Sequence, residues 1–127
     1  MAAGPLAATF LRGFEQWVLR EVDTDAIQQW LAGEGRNYAG RQYNGDFPEE
    51  LPDFLVRFKP KLVRFSNPAS EGGLHIEFGC GGGLSYWGLI VGLPDMPTPK
   101  EGDIDLSESE TEFRRPIKPG VYIFDRG

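Results

Sequence analysis

Two residue types that carry much of protein chemistry are nearly missing from this sequence. Of 127 residues, one is cysteine, Cys80, and one is histidine, His75. A single cysteine forms no intramolecular disulfide, so nothing in the chain signals an oxidising compartment. Structural zinc takes four Cys or His ligands, and the chain has two such residues in all. No metal and no other cofactor is expected. A Cys–His nucleophile pair fares no better. On an extended strand, five steps separate His75 from Cys80 by roughly 16 Å, whereas a thiol and its base must approach to about 3 Å.

Long hydrophobic runs are also lacking. The longest weakly polar stretch, Gly79 to Leu93, is too short and too rich in glycine to span a bilayer. The opening Met-Ala-Ala-Gly-Pro has no basic-then-apolar leader pattern, and Ala2 stands where myristoylation needs glycine. Basic charge is in deficit: 13 Lys and Arg stand against 19 Asp and Glu, a net charge of −6 and a pI near 4.8. Such a balance argues against a nucleic-acid partner, whose phosphates need neutralising. The one basic cluster, Arg57 to Arg64, reads as a solvated face beside apolar segments. These absences predict a soluble, acidic, cytoplasmic protein with neither nucleic acid nor membrane as a partner. The remaining composition, 40% hydrophobic and 25% charged, is that of one ordinary globular domain over residues 1–127.

What is present sorts by period. Phe10, Leu11, Phe14, Trp17, Val18 and Val22 recur at helical spacing, so a helix is expected over about 6–22. Asp23 or Thr24 caps a second, carrying Ile27, Trp30 and Leu31 and ended by Gly33 and Gly35. The tetrapeptide Leu-Val-Arg-Phe occurs twice, at 55–58 and 62–65. Leu51, Phe54, Leu55 and Phe58 place the first copy on a short third helix, closed by Pro60. The second lies between Pro60 and Pro68 and reads as a strand. Further strands are expected near 74–79, 84–91 and 120–124, with another at 112–115. The acidic stretch 94–112 reads as a mobile loop. Its Asp-Ile-Asp-Leu-Ser-Glu-Ser-Glu-Thr-Glu segment lacks the sixth-position glycine of a calcium-binding EF-hand and has Arg114 where a bidentate Glu belongs. The fold class is therefore α+β. Two to three helices pack on a small antiparallel sheet formed mainly by the C-terminal half, with residues 1–58 helical and 62–127 mainly β.

The glycine run Gly79-Cys-Gly-Gly-Gly83 follows a strand, as a phosphate loop does. A second strand comes after it, and the phosphate cradle needs a helix there. Ser85 lacks the flanking glycines of a nucleophile elbow. A β-hairpin explains more of the residues. Turning at Gly81, it pairs Phe78 with Leu84 and Ile76 with Tyr86. It then gathers His75, Glu77, Ser85 and Trp87 on one face, either as a small polar pocket with an aromatic wall or as a core histidine with its carboxylate. A one-residue slip would exchange the faces of the second strand, which is apolar on both.

The second candidate surface is the loop at 36–45, where Arg-Asn-Tyr-Ala-Gly is followed by Arg-Gln-Tyr-Asn-Gly. It presents Arg36, Tyr38, Arg41 and Tyr43, residue types enriched at binding hot spots. The alternative is a polar connector whose tyrosines lie back on the core.

The stretch Phe-Pro-Glu-Glu-Leu-Pro-Asp-Phe-Leu, 47–55, resembles the Leu-Pro helix opening of immunity proteins of the SMI1/KNR4 type. That likeness covers under a tenth of the chain and carries over no residue. The expectation is a non-enzymatic binding or regulatory domain acting through protein–protein contact, of an immunity or inhibitor kind. The alternative is a small-molecule-binding protein or small enzyme built on His75 and Glu77.

Overall fold

Leu11, Phe14 and Val18 form the buried stripe of the first helix, α1 (Gly4–Glu21), and the computed structural model lays that stripe on a β-sheet. The structure describes residues 4–69, 73–81, 86–108 and 110–126. A second helix, α2 (Thr24–Ala32), follows at once. Its N-cap is Asp23, whose side chain accepts a hydrogen bond of 3.0 Å from the Ala26 amide, satisfying one of the donors that a helix start leaves unpaired. After a 3₁₀ turn (Glu34–Tyr38) and a two-residue strand β1 (Gln42–Tyr43), the first Leu-Val-Arg-Phe copy enters the single-turn helix α3 (Asp53–Val56). The second copy opens strand β2 (Leu62–Ser66). One tetrapeptide thus takes two backbones, each chosen by its flanking residues.

Strands β3 (His75–Gly79), β4 (Trp87–Gly92), β5 (Gly102–Asp105), β6 (Thr111–Lys118) and β7 (Val121–Asp125) complete the sheet. Among the described residues it has seven strands in the order β1-β2-β3-β4-β7-β6-β5, every neighbouring pair antiparallel. This is the α+β architecture expected, with helices at the N-terminal end and most strands in the C-terminal half.

Among the described residues the helices cover one face only. Val63, Phe65, Ile76, Phe78, Leu89, Val91, Val121 and Ile123 point towards them and join Leu11, Phe14, Val18, Ile27, Leu31 and Leu55 in one buried cluster. Burying side chains of this size contributes roughly 1.5–3 kcal/mol each, so this cluster is the main source of stability. Two polar ties hold the layers in place. Gln28 of α2 donates to the Gly92 carbonyl (2.8 Å) and the Pro119 carbonyl (3.1 Å), and Arg115 of β6 donates to Glu15 of α1 (2.5 Å).

Three features depart from the sequence reading. Strands β1 and β5 are short and polar, and neither is visible in the hydrophobic pattern. β5 lies inside the stretch expected to be a mobile loop and forms because β6 supplies its ladder of hydrogen bonds. The third is the hairpin register: Phe78 lies opposite Leu89 instead of Leu84, and Gly79 opposite Gly88. A five-residue displacement is odd, so it exchanges the faces of β4. The close approach at Gly88 belongs to this register. A Cβ there would lie 2.0 Å from the Phe78 carbonyl oxygen, so glycine alone fits.

Candidate functional site

The face of the sheet turned away from the helices carries the side chains of alternate positions. Arg64, Glu77, Ile90 and Tyr122 stand opposite one another across β2, β3, β4 and β7. In the next row Phe124 of β7 stands opposite Arg114 of β6. The segment before β5, with Met96, Pro97 and Thr98, and the β5 side chain Ile104 rise beside them. Together they wall a cleft of about 890 Å³.

Its floor is a chain of alternating charges. Arg64 donates to Glu77 at 2.6 Å, and the Tyr86 hydroxyl donates to the other oxygen of the same carboxylate. Tyr86 reaches Glu77 because Gly79 lies beneath its ring: a Cβ on Gly79 would come within 2.9 Å of it. Burial first, and then the hydrogen bond to Glu77, hold the Tyr86 phenol above the ordinary tyrosine value, so it stays a donor. The Arg126 guanidinium lies over the Tyr86 ring (5.2 Å) and the Phe124 ring (5.7 Å). Arg126 also donates to Glu112 through Nε (3.1 Å) and Nη2 (2.9 Å). Arg114 donates to the second Glu112 oxygen at 2.5 Å and lies over Tyr122 at 5.3 Å. The Glu112 side chain is 3% exposed, whereas those of Arg114 and Arg126 are 23% and 32% exposed. All three line the cleft, and the two arginines are the more exposed partners of a nearly buried carboxylate.

His75 is buried and lines the same cleft. Its Nδ1 lies 2.8 Å from the Gly73 carbonyl oxygen, and since a carbonyl only accepts, Nδ1 carries the hydrogen. Nε2 has no bonded partner among the described residues. His75 and Glu77 share a face, as alternate strand positions do, but no hydrogen bond joins them among the described contacts.

Trp87 is not with them. The observed register turns it to the helix side, edge-on to Phe10 (5.0 Å) and Phe14 (4.9 Å) of α1. Tyr86, instead of Trp87, is the aromatic residue of this strand segment that meets Glu77. Ser85 lies outside the described residues. Cys80 is partly buried against the core, where desolvation pushes its thiol up to about 12. Among the described residues nothing in its setting activates a nucleophile.

The 36–45 loop is more structural than its composition suggests. Tyr38 packs on Trp30 and Phe65 (5.3 and 5.2 Å), and Tyr43 meets Phe65 edge-on at 6.4 Å. Arg36 donates to the Ala32 carbonyl at the end of α2 (2.6 Å), and Arg41 lies over the Tyr38 ring at 5.0 Å. Arg36 and Arg41 stay exposed at the surface while the two tyrosines are half-buried.

The chain matches no family model, no curated protein and no solved structure. The site's chemistry therefore rests on its own geometry. Among the described residues no group of His, Cys, Asp and Glu is placed to hold a metal ion, and no helix is long and apolar enough to cross a membrane.

Sequence reasoning missed Arg64, Tyr86, Glu112, Arg114, Tyr122 and Arg126. One signal was available. Arg64 stands between Val63 and Phe65, and Glu112 and Arg114 flank Phe113, so alternation alone puts each charge opposite an apolar residue. That these charges meet is a matter of strand order, which alternation does not reveal.

Proposed function

We propose that the chain is a non-enzymatic binding domain, of an inhibitor or immunity kind, that takes a protein partner on the helix-free face of its sheet. One observation carries this reading: among the described residues, that face is neither covered nor simply solvated. It is concave and floored by paired arginines, carboxylates and tyrosines. Burying ion pairs costs desolvation that their attraction only partly repays, so stability alone gives no reason to build them there. Arginine and tyrosine are the residue types on which interface energy concentrates. Ile104 and Leu106, 41% and 39% exposed, add an apolar lip to the same cleft. The net charge of −6 favours a partner with a basic surrounding face and speeds the encounter.

The alternative, a small-molecule or catalytic pocket using His75 and Glu77, draws on the opening of His75 onto the cleft. Against it, both Glu77 oxygens are taken, one by Arg64 and one by Tyr86. Glu77 thus serves as an anchor for its neighbours.

The test is capture of a partner from native lysate with three baits: the wild type, a cleft variant (Thr98→Arg with Ile104→Asp), and a loop variant (Arg36→Ala with Arg41→Ala). A partner held by the wild type and the loop variant and lost by the cleft variant is the expected result. Loss on the loop variant alone would move the interface to residues 36–45 and overturn this reading. A ligand response abolished by His75→Ala, with no protein retained, would favour the pocket.

A further inference from the structure

Glu112 holds two guanidinium groups at once. It takes the Nε hydrogen of Arg114 on one oxygen and two hydrogens of Arg126 on the other. Aromatic rings brace both cations from behind, Tyr122 under Arg114 and Tyr86 with Phe124 under Arg126. Each guanidinium has five N–H donors in a planar fork. Three of the ten are spent on Glu112 in these bonds, and both side chains line the cleft. Two positive charges therefore share one buried negative charge, and the surplus faces the open side. The side chains have already lost their rotamer freedom to the carboxylate and the rings, so an incoming anion does not bear that entropic cost.

From this we infer that the partner inserts an acidic side chain, Asp or Glu, which Arg114 and Arg126 take by their outer edges. The inference rests on the proposed use of this face by a protein. It adds that the anchor is a carboxylate, although the body of the chain is acidic. Neighbouring residues suit such an anchor. Ile90, Met96 and Ile104 line the same cleft and offer apolar contact beside the two cations. The occupant is thus a peptide segment with an acidic residue next to an apolar one. A nucleic-acid phosphate is disfavoured by the net charge of −6.

The test pans a displayed library of random short peptides on the immobilised full chain and maps selected peptides by amide and arginine Nε–H NMR shifts. Peptides that shift Ile90, Ile104 and the Nε–H signals of Arg114 and Arg126, and that share an Asp or Glu, are the expected outcome. Replacing that acid by its amide should weaken binding about tenfold or more, as loss of a charge-assisted fork implies. Arg126→Lys, which keeps charge and loses the fork, should weaken it comparably. Arg115→Lys, on the helix side of the same strand, should not. The acid-to-amide swap needs no change in the protein, so a poorly folded Arg126 variant leaves the result readable. Cleft-binding peptides without an acid, or with no response to the amide swap, overturn the carboxylate anchor and leave the face reading standing. Peptides that shift only residues outside the cleft, or no binders at all, overturn both.

Discussion

Cys80 follows β3, where burial pushes its thiol from the ordinary 9.0 up to about 12. Below pH 9 the folded and unfolded chains both hold the proton, and the thiol adds no slope to stability. Between about 9 and 12 the unfolded chain releases it while the folded chain does not. Unfolded molecules then bind fewer protons, and stability falls as pH rises through that window. In urea titrations the wild type should therefore lose stability relative to Cys80→Ala between about pH 9 and pH 10.5. Tyr86 and Tyr38, whose pKa values are also raised, are common to both proteins and cancel in the comparison. Parallel pH curves would show that the thiol is not desolvated. The sequence allowed Cys80 to be read as inert because its only histidine lay too far along the strand, and the buried setting supplies the physical cause.

At the scale of elements, β5 shows how a strand hides from sequence. Gly-Asp-Ile-Asp has poor strand propensity, and its acidic flanks read as a solvated loop. It becomes a strand because β6 presents unpaired backbone groups along Thr111–Arg114. As an edge strand it exposes a row of amides and carbonyls of its own, and Asp103 and Asp105 are placed to discourage pairing with another chain. Replacing both by valine should promote self-association. Light scattering should show a mass that rises with protein concentration more steeply than that of the wild type. An unchanged mass would mean that the edge is guarded by other features. By contrast, the helices were legible almost to their ends. Their apolar spacing and the Asp23 cap are local, and the packing that followed agreed with them.

Across the whole molecule, β3, β4 and β7 lie at the centre of the sheet, and their apolar side chains pack beneath α1 and α2. β1 and β5 lie at its edges and bury little. Backbone amides at Ile76, Phe78, Leu89 and Ile123 should be the slowest to exchange hydrogen and should open only with global unfolding. Those of β1 and β5 should exchange fastest among the strands. If the central strands exchanged by local opening, the cluster around Phe65 and Phe78 would not unfold as one cooperative unit.

The sequence by itself determined the two long helices, the central strands and the α+β class, and its single cysteine leaves no intramolecular disulfide to form. Those follow from period, spacing and residue counts, which are local properties. Tertiary structure alone decided which face of β4 looks where. Trp87, Leu89 and Val91 are apolar, and so is Ile90 between them, so alternation offered no preference. The choice was made by distant partners: Phe10 and Phe14 receive the Trp87 ring, and the Phe78 carbonyl leaves room only for Gly88. The same holds for the cleft. Arg64, Glu77, Glu112 and Arg126 are far apart along the chain and meet because β7 returns to pair with β4. A network assembled by strand order leaves no spacing in the sequence from which to read it.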